Sequence, residues 1–124
     1  MKNFKDTAKK AVAHSFITVG REAIATDMVI AGYPNGITII AADLLTVVDK
    51  GVEKTYAACL FAEDNAHYIN GGKSLTDIVT EWLDGYDSAE AMSADLKASG
   101  GVKVKLAKKM TRDGRQYTEV TILD

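Results

Sequence analysis

The carboxy-terminal stretch VKVKLAKKMTRDGRQYTEVTIL leaves the chain less freedom than any other segment. Val102, Val104, Leu106 and Met110 share one parity, while Lys103, Lys105 and Lys109 share the other. That is the period-two pattern of a half-buried strand. Lys108 interrupts the apolar row, so the strand is expected to fray or bulge there. Residues 111–115 supply turn chemistry, with Asp113-Gly114 favouring positive φ. The return strand then places Thr118, Val120 and Ile122 inward and Tyr117, Glu119 and Thr121 outward.

A second hairpin is expected upstream. Pro34-Asn35-Gly36 reads as a turn into the run ITIIAADLLTVV, followed by a DKGVEK loop and the returning strand TYAACLFA. Residues 37–48 are apolar on both parities, which requires burial on both sides or a bulge near residues 40–42. Between the hairpins the pattern turns helical. Ser74 is expected to cap a helix bearing Leu75, Ile78, Val79, Trp82 and Leu83 on one stripe, with Trp82 in the core. A second helix is expected from Ser88 through Met92 and Leu96 to a Gly100-Gly101 stop. Residues 15–24 read as a strand, Thr26 as the cap of one short helical turn, and residues 1–14 as a basic helix or mobile arm. The resulting fold is mainly β with α+β content: five strands, with helices inserted between the third and fourth. This is the element order of a five-stranded OB barrel.

The 124 residues carry no low-complexity stretch and no linker, so a single domain is expected over 1–124. The single thiol, Cys59, has no intrachain partner, which points to a reducing, cytoplasmic setting. No apolar run approaches the roughly 18 residues of a membrane span, and the basic start does not read as a signal peptide. The formal net charge is only −2, but its distribution is uneven. From Val102 to Tyr117 six cations face one acid, and from Leu60 to Asp95 eight acids face Lys73 alone.

Most catalytic readings fail on spacing. NGGKS sets Gly72-Lys73-Ser74 before a helix, as in a phosphate-binding P-loop, but His67 stands five positions before Gly72, where that pattern needs glycine. A glycine loop leading into a helix is the simpler account. His14 and His67 lack the companions of a zinc site, the acids match no calcium loop, and Cys59 in an apolar strand reads as inert core. No metal, cofactor or enzymatic activity is expected.

The basic hairpin has two readings. Outward lysines keep a sheet edge soluble. They also lie beside aromatics: Tyr117 shares the face of Lys103 and Lys105, and Tyr56, Phe61 and Tyr68 fall on or just beyond the central hairpin. The bulge leaves open which side Tyr56 faces. Tyr33, beside Pro34, reads equally as a packing residue. Cations that track phosphates beside platforms for bases are what sequence-tolerant single-strand binding requires.

Two segments, LFAEDNAHYINGGKS and KVKLAKKMTRDGRQYTEVTIL, resemble the small single-stranded-DNA-binding proteins of phages and mobile elements of Gram-positive bacteria. The likeness covers residues 33–123 in layout. It implies an OB-type barrel that coats single-stranded DNA during replication or transfer of such an element, with Tyr68 and Tyr117 stacking on bases. Lys103, Lys105, Lys109, Arg112 and Arg115 would contact the backbone, and the acidic helices would lie away from the groove. Partners would be DNA, replication or transfer proteins and further copies of the chain. Asn65 departs from the glycine of that family's acidic turn, the amino-terminal third has no counterpart, and TILD is not the acid-tipped tail through which cellular relatives recruit partners. The rival reading is a protein-interaction module of a mobile element that binds no nucleic acid.

Overall fold

The computed structural model describes residues 15–123. The region read as a basic helix or arm, residues 1–14, lies outside the described residues. Six strands, β1 (Glu22–Ile24), β2 (Ile37–Asp49), β3 (Val52–Phe61), β4 (Asp64–Asn70), β5 (Val102–Met110) and β6 (Gln116–Ile122), form one sheet in the order β1-β4-β3-β2-β5-β6. Helix α1 (Thr26–Gly32) follows β1, and α2 (Lys73–Leu83) and α3 (Ala89–Ala98) lie between β4 and β5. The sheet curls into a half-barrel, so the fold is mainly β with a barrel-like α+β build.

The expectation of five strands needs correction. The addition is β4, which pairs antiparallel with β3 (Cys59 opposite Ile69) and parallel with the short β1 (Ala23 opposite Tyr68). The helices therefore enter after the fourth strand. The expected strand over 15–24 shrinks to three residues because Arg21 winds the preceding segment into turns. Its guanidinium donates to the carbonyls of Phe16, Ile17 and Val19, and to that of Asn65 at 3.0 Å.

The long strand β2 explains its own double-sided apolarity. Its register with β3 shifts between Ile39 and Ala41. Before the bulge Ile37 and Ile39 enter the main core. Beyond it Ala41 and Leu45 join a second cluster on the opposite, outer face with Ile17, Ala58 and Leu60, while Ala42 continues the main core. The turn after β2 is tighter than the expected loop: Asp49 pairs with Val52, and Lys50 and Gly51 both take positive φ, as a two-residue hairpin requires.

Only residues 37–39 of β2 pair with β5. Past the bulge α3 takes the place of β5. The hydroxyl of Ser93 accepts from the Ala42 amide at 3.0 Å and donates to the Ala42 carbonyl at 3.1 Å, satisfying both groups on that edge. Ser93, at 6% exposure, is the sole polar residue buried among the described residues. The start and stop of α3 are as expected, with Ser88 accepting from Ala91 and Gly101 donating to Leu96. Gly101 has φ +82°, and a Cβ there would come within 2.7 Å of the Ile39 carbonyl, so β5 can begin against β2 only with glycine at that point.

The other two caps differ from expectation. Gly72, not Ser74, caps α2, and Ala25, not Thr26, caps α1, neither with a side-chain bond. The start of α2 is set instead by β3: Thr76 Oγ1 accepts from the Ala57 amide and Gly71 donates to the Ala57 carbonyl. Leu75 and Val79 are buried in the main core, with Trp82 partly buried against it. Phe61 is fully buried and meets Tyr33 edge-on at 5.7 Å, so both aromatics serve packing. At the seam, Thr118 and Val120 of β6 face Ile69, Gly71 and Leu75 around a cavity of about 10 Å³, and the first turn of α2 fills the gap that strand pairing would close in a full barrel.

Replacing Ser93 with alanine strands the amide and carbonyl of Ala42 away from water, and urea unfolding should show a loss of about 1–3 kcal/mol. Gly101→Ala should cost about 2–3 kcal/mol from positive φ together with the backbone clash, against about 1 kcal/mol for Gly100→Ala, whose Cβ meets open space.

Candidate functional site

The hairpin β5–β6 leaves the sheet. Beyond Val104 it has no third strand, and its ladder continues alone from Lys105 opposite Thr121 to Met110 opposite Gln116. No register shift occurs at Lys108, contrary to the expected fray. The inner face of this overhang reaches the main core through Leu106 and Val120 and opens to solvent beyond them, so an inward lysine meets little penalty there: Lys108 reaches Asp27 of α1 at 3.1 Å, and Met110 is 64% exposed.

The turn at the tip is self-contained. Thr111 donates to the Arg115 carbonyl at 2.8 Å, and the Asp113 carboxylate receives the Thr111 hydroxyl and the Arg115 guanidinium, the latter at 2.7 and 2.9 Å. The guanidinium first, then the hydroxyl, hold the Asp113 carboxyl below its ordinary range. Arg115 is thus engaged within the turn.

On the outer face of the hairpin Lys103, Lys105 and Lys109 project together with Tyr117, Glu119 and Thr121. Tyr117 stands directly opposite Lys109 and is 41% exposed. Lys103 and Lys105 lie on the same side but nearer the sheet. Among the described residues Lys105, Lys109 and Arg112 form no ion pair.

Tyr56 and Tyr68 lie elsewhere. Both are on the outer face of the sheet, half-buried against the second cluster, and partial burial together with the neighbouring Tyr68 raises the Tyr56 phenol above its ordinary value. Tyr56 pairs with Leu45 of β2, whereas Lys103 pairs with Thr38, so the two are roughly 20 Å apart along that strand. Of the residues singled out from sequence, Lys103, Lys105, Lys109, Arg112 and Tyr117 come together on the hairpin, Tyr56 and Tyr68 form a separate pair, and Arg115 braces the tip.

Beneath the hairpin runs a groove of about 890 Å³ between its inner face and the first turn of α2. Its lining includes Lys73, Asp77, Lys108, Arg112 and Tyr117. Lys73 pairs with Asp77 at 3.1 Å, so one acid of the helical segment sits in the groove, not away from it. Sequence reasoning passed over Lys73 and Lys108 as binding residues. Their signals were the cation in Gly72-Lys73-Ser74 and the break of parity at Lys108.

Cys59 is fully buried, and burial pushes its thiol far above the ordinary range. No group of three or more metal-ligating side chains occurs among the described residues, and none of their helices is long and apolar enough to cross a membrane. Comparison of the chain with protein-family models, with curated proteins and with solved structures finds no match.

A thiol-directed reagent such as dithionitrobenzoate should leave Cys59 unmodified in the native protein and react within seconds after denaturation, since only an accessible thiolate attacks. Rapid labelling of the folded chain would contradict the burial described.

Proposed function

We propose that the protein binds single-stranded DNA without sequence preference and without a catalytic step, as a small OB-type protein of a phage or mobile element that covers the strand during replication or transfer. The observation that carries the reading is the outer face of the overhanging hairpin, where Lys103, Lys105 and Lys109 share one side with the exposed ring of Tyr117. Cations there neutralise phosphates without reading sequence, and an aromatic face accepts any base. The curled sheet, with helices inserted ahead of the last hairpin, is compatible with an elaborated OB barrel in which β4 is additional. Tyr56 and Tyr68 supply a second aromatic surface on the same side of the sheet, reached by a strand that crosses β2.

Fluorescence anisotropy with a labelled oligothymidine and a matched duplex tests this. Tight single-strand binding that weakens steeply with salt is expected, and Tyr117→Ala should weaken it about 5- to 150-fold, the equivalent of one stacked base at about 1–3 kcal/mol. If neither strand form binds at low salt, the DNA reading falls and the hairpin is either a soluble sheet edge or a docking face for a partner protein.

A further inference from the structure

The outer face leaves the groove beneath the hairpin unused. Three cations from separate parts of the fold line it: Lys73 from α2, Lys108 from β5 and Arg112 from the turn. Two of them already have partners, Lys73 with Asp77 and Lys108 with Asp27. Lys73 and Asp77 are 87% and 63% exposed, and pairs this open to water are weak. A phosphate, with more charge and more acceptor oxygens than a carboxylate, displaces Asp77 readily. Arg112 has no such competitor among the described residues. At about 890 Å³ the groove falls within the usual range of small-ligand sites. Tyr117 belongs to both surfaces, since it lies opposite Lys109 on the outer face and lines the groove.

We infer that the groove is a second nucleotide subsite, in which Lys73 and Arg112 hold a phosphate while Tyr117, on the outer face at its rim, stacks on a neighbouring base. β6 is the edge strand of the sheet, so a chain laid along the outer lysines passes round this open edge at Tyr117 and enters the groove. The inference rests on the single-strand reading for its ligand. The same chemistry also fits a free mononucleotide, and the two sources are separable.

The test uses the full chain, with labelled oligothymidine followed by anisotropy across a salt series and dTMP followed by equilibrium dialysis. Lys73→Ala should weaken oligothymidine binding about five-fold and lower the slope of log affinity against log salt by about 0.7, the value for one lost single-strand phosphate. Asp77→Asn should tighten binding about three-fold, whereas Asp84→Asn, the same charge change about 10 Å away at the C-cap of α2, should alter it less than two-fold. If the native protein binds oligothymidine but Lys73→Ala and Asp77→Asn behave as the parent, the groove inference is overturned while the outer-face reading stands. Equal tightening by Asp77→Asn and Asp84→Asn overturns it too, by showing only an effect of net charge. If oligothymidine does not bind but dTMP does, and Lys73→Ala abolishes that binding, the groove holds a free nucleotide and the single-strand reading fails.

Discussion

The hydroxyl of Ser93 closes a problem that β2 creates for itself. A strand of thirteen residues that pairs with β5 at one end and leaves it after the bulge exposes an amide and a carbonyl inside the protein. An unpaired group of this kind would cost more than a hydrogen bond normally contributes. Ser93 answers both groups of Ala42 at once and so fixes α3 along the strand. With α3 fixed, Gly100 and Gly101 start β5 at a set angle, and the last hairpin is aimed out of the sheet. The overhang, its outer row of cations and the groove beneath it all follow from where α3 is pinned.

Charge follows the same architecture. Asp27 and Asp77 each answer one lysine under the hairpin, and Asp113 answers Arg115 at the tip. What remains on the outer surface is a basic row in which, among the described residues, Lys105 and Lys109 form no ion pair. A protein close to neutral overall thereby keeps a local positive field, which a polyanion senses at a distance of about a Debye length, roughly 10 Å at moderate salt.

Much of the fold was legible where local chemistry decides it. The last hairpin followed from alternation and Asp113-Gly114, α3 from Ser88 and the two glycines, and the β2 bulge from apolar residues on both parities. β4 was not legible, because DNAHYIN offers a single fully buried apolar residue, Ile69, and becomes a strand through pairing with β3 and β1. The cap of α2 was misplaced for a related reason: backbone groups of β3, remote in sequence, set its start. For the candidate site, parity alone put Lys103, Lys105, Lys109 and Tyr117 on one face. It could not show that Tyr56 of β3 pairs with Leu45, well beyond the part of β2 that meets β5, or that the first turn of α2 comes beneath the hairpin, since both depend on how the sheet pairs and curls.

The overhang has a geometric consequence. A ribbon of two strands twists more strongly than a wide sheet, because no third neighbour holds it flat. Side chains at alternate positions along it therefore rotate about the ribbon axis instead of lining up in a plane. From Lys103, anchored next to β2, to Lys109 and Tyr117 near the tip, the outward direction turns steadily. The row of cations is a short spiral, and a flexible polymer following it is rotated as it advances.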